Sequence, residues 1–330
     1  MDKTIDILLA TYNGEKYVQE QIESILNQSY QNIHLIISDD CSKDNTRNIL
    51  KQYEQNERIT IYYQPQNLGY IKNFEFLISK VENEIYMLSD QDDVWLSEKV
   101  EKTYETLKNE NADFVFGDLK VVNQDLEEIY PSFNDYMLLS RKIKKYLHTK
   151  YLNYLYNCVT GCTIMSKKSF IKYFMPIPNS SKYVAHDYWM ALMISLNGKL
   201  AYVPEKYILY RQHGDNEIGT EKISHKFKQF KQVRELFINV KLGVFSTYVE
   251  NNDKFPKTIQ ELNQKALNYF NMLTKKKKFN FKDWKVFHTL YKHETCSYYV
   301  LNFIIMNMPL LGAGLFKLRY VVLKMLGKRK

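Results

Sequence analysis

Between residues 5 and about 110 the chain alternates short apolar runs with amphipathic stretches, and no other feature constrains its fold as much. IDILLA (5–10), IHLIIS (33–38), ITIYYQ (59–64) and EIYMLS (84–89) read as buried strands, each ending in polar, turn-forming residues. Between them, EKYVQEQIESILNQ carries Val18, Ile22, Ile25 and Leu26 at helical spacing, and RNILKQYEQ and IKNFEFLISKV read as further helices. Strands alternating with helices across short loops predict an α/β fold, a mostly parallel central sheet with helices on both faces. Ligands bind such sheets outside the carboxyl ends of the strands. TYNG, DDCS, PQNLG and SDQDD occupy those ends, so the polar turns of this half converge on one edge.

Further along, DFVFGDLKVVN (113–123) reads as a strand pair and VTGCTIMSKKSFIKYF (159–174) as a strand followed by a helix. Residues 186–216 read as helix, Gly turn, two strands and a loop. Beyond about residue 216 the chain becomes Lys-rich and helical in pattern. The 330 residues suffice for one large domain or two modest ones.

The stretch SDQDDVW places Asp90, Asp92 and Asp93 after the fourth apolar run. Carboxylates this close repel one another unless a counter-charge sits among them. A divalent cation is the economical choice, because Mg²⁺ and Mn²⁺ prefer oxygen ligands and bridge carboxylates to phosphates. In an extended segment Asp90 and Asp92 point the same way, and Asp93 points away, to fix the loop or to meet the substrate. A solvated acidic turn is the bland alternative. At the second strand end, Asp39 and Asp40 are able to accept from a base or a ribose, or to form an Asx turn or helix cap. Asn67, Gly69 and Lys72 follow the third strand as a phosphate contact or an ordinary turn. His186 and Asp187 open an apolar helix, where Asp187 is either a cap or a general base. Arg211 and His213 lie in YRQHGDN, and His213 is a candidate third metal ligand.

In this order the motifs resemble an inverting family 2 glycosyltransferase of the GT-A fold, over about residues 4–216. SDDCSKDNT is similar to that family's V-D-D-x-S-x-D-x-T element, QNLGYIKNF to its N-x-G stretch and SDQDDVW to its D-x-D region. VTGCTIMSKK is similar to its acceptor-side strand, HDYW to its E/H-D motif and YRQHGDN to its late Arg/His motif. The resemblance implies that Asp40, Ala10 and Tyr12 receive the base of a nucleotide-diphosphate sugar. It places Mn²⁺ or Mg²⁺ on Asp90, Asp92 and His213, with Asn67, Lys72, Asp93 and Arg211 on the donor. Asp187 becomes the general base, and Gly161, His186 and Trp189 face the acceptor. It also implies a nucleotide-sugar half at about 1–112, an acceptor half at about 113–216 and a helical, basic region over 217–330. Processive members usually carry Q-x-x-R-W and several membrane helices. YRQHGDN stands here instead, which implies addition of one sugar. Among such enzymes, SDQDDVW, HDYWMAL and YRQHGDN most resemble bacterial rhamnosyltransferases of surface polysaccharide synthesis. A UDP-hexose or UDP-N-acetylhexosamine donor is the alternative within the same reaction.

The net charge is +9 and the pI about 9.0, which suits nucleic acid, anionic lipid or a phosphorylated substrate. The basic residues are spread or tail-loaded and no nucleic-acid motif accompanies them, so nucleic acid is not the expected partner. Nucleotidyl transfer on the same fold usually shows a Gly-rich, basic N-terminal signature, which TYNGEKYV lacks. The four cysteines form no zinc-type set and read as reduced, cytosolic thiols. No secretory signal or spanning segment is expected in the first half. Residues 299–316 are mostly apolar but contain Asn302, Asn307 and Pro309, and Lys317, Arg319, Lys324, Lys328, Arg329 and Lys330 follow. This tail suits either the surface of an anionic leaflet or a terminal helix packed on the protein. The expected location is cytoplasmic, peripheral on the inner face of the plasma membrane, with a saccharide or lipid-linked acceptor.

Overall fold

The computed structural model describes residues 3–137, 139–147, 149, 152–214, 230–275, 281–292 and 296–307. The apolar runs form β1 (Ile5–Thr11), β2 (Ile33–Asp39), β3 (Ile59–Tyr63) and β4 (Ile85–Ser89). All four are parallel, in the order β3-β2-β1-β4. Both faces of β1 are buried from Ile5 to Leu9, all Ile and Leu except Asp6, as a strand covered by helices on each side requires. The helices are α1 (Val18–Leu26), α2 (Thr46–Lys51) and α3 (Tyr70–Ser79). Val18, Ile22 and Ile25 bury one stripe of α1 against the sheet.

A short β5 (Val94–Trp95) and α4 (Lys99–Asn109) precede the second half of the sheet. There, β6 (Phe114–Val122) is one nine-residue strand where a pair is predicted, and β7 (Glu128–Tyr130) is its antiparallel partner. Of four short helices, α5 (Phe133–Tyr136), α6 (Ser140–Tyr146) and α7 (Leu152–Leu155) precede β8 (Met165–Lys167) in the chain and α8 (Ile171–Phe174) follows it. The apolar helix α9 (His186–Asn197) leads to β9 (Leu200–Arg211). Two strands are predicted where the single twelve-residue β9 runs. A register shift against β6 at Gly117 and Asp118 bends the strand without ending it. The full order is β3-β2-β1-β4-β8-β6-β9-β5.

Two compact units emerge, one within residues 1–179 and 185–219, the other within 180–184 and 220–330. The first is the unit described so far. The second holds α10 (Phe230–Glu250), α11 (Lys257–Thr274), α12 (Phe281–Tyr291) and α13 (Cys296–Asn307), packed around Phe245, Tyr248, Phe270 and Phe287. Among the described residues no helix is long and apolar enough to cross a membrane. The basic residues from Lys317 onward lie outside the described residues.

Candidate active site

Parallel pairing through Thr11↔Asp39 and Leu9↔Ser89 puts the loops after β1, β2 and β4 on one edge. Side chains then lace these loops together. Asn13, in the left-handed region at φ 48°, accepts from the Lys43 amide at 2.8 Å. The Asn13 amide donates to Ser42 Oγ at 2.9 Å and the Gly14 amide to Thr46 Oγ1 at 2.8 Å. Asp39 is buried and accepts from Arg47 Nε at 2.6 Å. Asp40 is 2% exposed, and its two oxygens accept from the Leu68 amide at 2.7 Å and the Gly69 amide at 2.9 Å. Its carboxylate therefore anchors the loop after β3, where the resemblance puts it on a base. Asn67 shares that work, accepting from the Gly69 amide at 3.1 Å. Gly69 has φ +80°, a conformation that favours glycine. Lys72 pairs with Glu75 at 2.7 Å, and Tyr12 is 44% exposed beside the half-buried Ala10.

The Asp-rich loop divides its carboxylates between two environments. Asp92 Oδ2 meets His213 Nε2 at 2.9 Å. Asp90 is half-buried, and burial, with Asp92 and Asp187 as neighbours, pushes its carboxyl up to about 7 against the opposing pull of Lys99. Asp93 turns inward and is fully buried, with Oδ1 accepting from the Arg211 amide at 3.3 Å and with Cys162 as a further partner. It fixes the loop from behind, away from the surface where a donor would contact it. Burial raises the Asp93 carboxyl and the Cys162 thiol and lowers the Lys99 amine. Ligand atoms of Asp90, Asp93 and Cys162 lie within 4.8 Å of one another, but the last two are occupied with each other in the core. Asp92 and His213 meet beside the half-buried Asp90, and carboxylate oxygens with an imidazole are donor types that divalent cations such as Mn²⁺ accept.

Arg211 is 4% exposed and acts as a clamp. Its Nε donates to Asp92 O at 3.0 Å, one terminal nitrogen donates to Gln124 O at 2.8 Å, and the other pairs with Glu20. Its guanidinium lies 4.5 Å from the Tyr17 ring centroid, and the Tyr17 and His213 rings are 4.9 Å apart. Buried Gln21 completes the support: its nitrogen donates to Asp93 O at 2.6 Å and its oxygen accepts from Trp95 Nε1 at 3.1 Å.

On the other side, Asp187 lies in the first turn of α9 and is 6% exposed. Burial raises its carboxyl to about 6, against opposing hydrogen bonds from the Tyr188 and Gly161 amides and the Asn157 side chain. His186 stacks on Phe74 at 4.2 Å and meets Tyr70 edge-on at 6.0 Å. Burial lowers its imidazole to about 3, so the ring is neutral. A Cβ on Gly161 would stand 3.0 Å from His186 Nε2. Trp189, given an acceptor role by the resemblance, is fully buried and donates Nε1–H to Phe174 O at 2.9 Å. It is core, as the all-round apolar α9 demands. Gln91, Gln21, Glu20 and Tyr17 escape the sequence reading, although Gln91 stands inside the motif itself.

A mostly parallel sheet whose carboxyl edge gathers acidic, histidine- and glycine-bearing loops is the architecture of the GT-A fold. The chain belongs to glycosyl transferase family 2, whose sequence profile matches residues 6–174. It is 30% identical over 239 residues to the dTDP-rhamnosyl transferase RfbG of Shigella flexneri, covering 68% of this chain and 79% of that one. The fold is similar to S. aureus TarS 1–349 in complex with UDP-GlcNAc, with a TM-score of 0.55, 16% identity and coverage of 88% and 82%. It is also similar to mannosyltransferase PcManGT from Pyrobaculum calidifontis in complex with GDP-Man and Mn²⁺, with a TM-score of 0.53, 12% identity and coverage of 96% and 88%.

Proposed function

We propose that this glycosyltransferase is a metal-dependent, inverting enzyme that adds a single rhamnose from dTDP-rhamnose to a hydroxyl of a bacterial surface polysaccharide or its lipid-linked precursor. The observation that carries the reaction is the Asp-rich loop at the carboxyl edge of the sheet, where His213 Nε2 meets Asp92 Oδ2 at 2.9 Å beside the half-buried Asp90. The donor choice is supported by the 30% identity to a protein named as a dTDP-rhamnosyl transferase.

In this reading the base of the donor lies against Ala10 and the exposed ring of Tyr12. Lys72 and the loop held by Asp40 and Asn67 border the same edge. Asp90, Asp92 and His213 would hold Mn²⁺ or Mg²⁺, which when bound offsets the charge gathering on the departing diphosphate. Asp187 takes the proton of the acceptor hydroxyl as its oxygen attacks the anomeric carbon opposite the nucleotide. The bond from that carbon to the diphosphate oxygen breaks, and the configuration inverts. Gly161, with no side chain, lets His186 and Asp187 pack close to it on the acceptor side. The enzyme works on the cytoplasmic face of the plasma membrane, with the basic segment from Lys317 onward against anionic lipid.

The test is calorimetric titration of dTDP, UDP and their sugars with Mn²⁺ or EDTA, followed by NMR of the product's anomeric centre. Tightest metal-dependent binding of dTDP-rhamnose and an inverted product are expected. Equal binding in EDTA, or a retained configuration, would overturn the mechanism. Preference for a UDP-sugar would replace the donor.

A further inference from the structure

We infer that Gln91, the residue between the two aspartates of the metal loop, couples occupancy of the metal site to occupancy of the nucleotide-base site. The inference rests on the donor and metal positions proposed above and goes beyond them, because it assigns a physical link between the two.

The ladder between β1 and β4 ends at Leu9↔Ser89, where the two chains part into their loops. Gln91 carries the pairing further. Its side-chain amide has the same donor and acceptor groups as a peptide unit. Gln91 Oε1 accepts from the Tyr12 amide at 2.8 Å and from Thr11 Oγ1 at 2.6 Å. Gln91 Nε2 donates back to Tyr12 O at 3.0 Å. Both backbone groups of Tyr12 are therefore held by one side chain of the Asp-rich loop. Gly14 is shaped to the same contact: a Cβ there would lie 2.2 Å from Gln91 Oε1. A movement of Asp90 and Asp92 toward a cation carries Gln91 with it, and Gln91 carries Tyr12. Gln91 is a positioning residue, since it acts through Tyr12 and its two neighbours in the loop.

Thymidine provides the test, because it has a base and no phosphate to touch a cation directly. Any effect of Mn²⁺ on its affinity must travel through the protein. Thymidine is titrated into the full chain by calorimetry, with and without saturating Mn²⁺, for wild type, Gln91→Met and Gln91→Asn. The methionine is close in size and makes none of the three bonds. The asparagine keeps the amide but is one methylene too short to span them, so a folding defect in one variant leaves the other to decide. In wild type, Mn²⁺ is expected to tighten thymidine by about fivefold or more. In either variant the ratio should fall to about one, with Mn²⁺ still binding. An unchanged ratio in a folded variant, or a wild-type ratio of one while dTDP and Mn²⁺ both bind, would overturn the coupling. Wild type that binds neither dTDP nor Mn²⁺ would instead overturn the proposed donor and metal sites, and the coupling with them.

Discussion

His213 Nε2 lies 2.9 Å from Asp92 Oδ2, although 121 positions separate the two residues in the chain. The contact exists because β9 runs antiparallel to β5, through Val94↔Leu209, and delivers its carboxyl end to the Asp-rich loop. This imidazole and this carboxylate are the two groups that the proposed metal site draws from distant parts of the chain.

Replacing either member of that pair should weaken metal binding first. For Asp92→Asn and His213→Ala, the Mn²⁺ concentration giving half-maximal activity is expected to rise at least about tenfold, comparable to loss of one ligand interaction. A metal titration of initial rates checks this. Half-saturation unchanged in both variants would remove them from the metal site.

Asp187→Asn should lose about 10²–10⁴ in turnover while dTDP binding stays within a fewfold of wild type. The wild-type kcat/KM should fall as pH drops below about 6, where the raised carboxyl takes up its proton and can no longer act as a base. A pH–rate profile with no such limb would remove Asp187 from that role.

The same carboxyl makes a stability statement. It titrates at about 6 in the folded protein against 3.8 unfolded, so the unfolded chain releases this proton first as pH rises. The contribution of the neutral, buried acid is present below about pH 4 and lost through about pH 6. Above that, the folded state carries an ionised buried carboxylate at a cost of about 3 kcal/mol. Asp187→Asn should therefore melt higher than wild type at pH 7 and equally at pH 4, as differential scanning calorimetry would read.

Arg211→Ala removes donors from Asp92 O, Gln124 O and Glu20 at once. Leaving those acceptors unsatisfied should cost about 3 kcal/mol, roughly 5–10 °C in melting temperature. Arg211→Lys should not restore it, because an ammonium on a flexible stem does not reproduce the planar fork. A thermal melt of the three proteins decides the matter.

Gly161→Ala sets a methyl 3.0 Å from His186 Nε2 and 3.7 Å from Asp187 Cβ. The stacked His186 has Phe74 behind it, so the strain falls on the base side. Turnover is expected to drop about tenfold or more with donor KM little changed, from the sensitivity of catalysis to small misplacements. A donor KM that rises as much as kcat falls would place Gly161 on the donor instead.

The first unit is largely legible in the sequence because local pattern and tertiary role agree there. IDILLA, IHLIIS, ITIYYQ and EIYMLS form parallel strands, and their polar ends meet on one edge. The boundaries within β6 and β9 are not legible, since a bulge at Gly117 and Asp118 looks in sequence like an end. Side-chain direction is the other limit. Nothing in SDQDDVW says that Asp93 turns inward to Cys162 and Arg211, or that Gln91 turns outward to Tyr12. Asp40 and Asn67 stay open in the sequence between ligand contact and turn, because a side chain that binds backbone amides and one that binds a substrate have the same letter. The resemblance sets Trp189 on the acceptor with its motif neighbours, while the apolar α9 around it places it in the core.

The lacing of Asn13 to Lys43, Gly14 to Thr46 and Tyr12 to Gln91 has a consequence for anyone building chimeric sugar-transferring enzymes from this scaffold. A recombination joint cut between these loops separates each side chain from the backbone it was selected against. Their exchange unit is the whole carboxyl edge of β1, β2 and β4, inherited together, rather than any one motif transplanted alone.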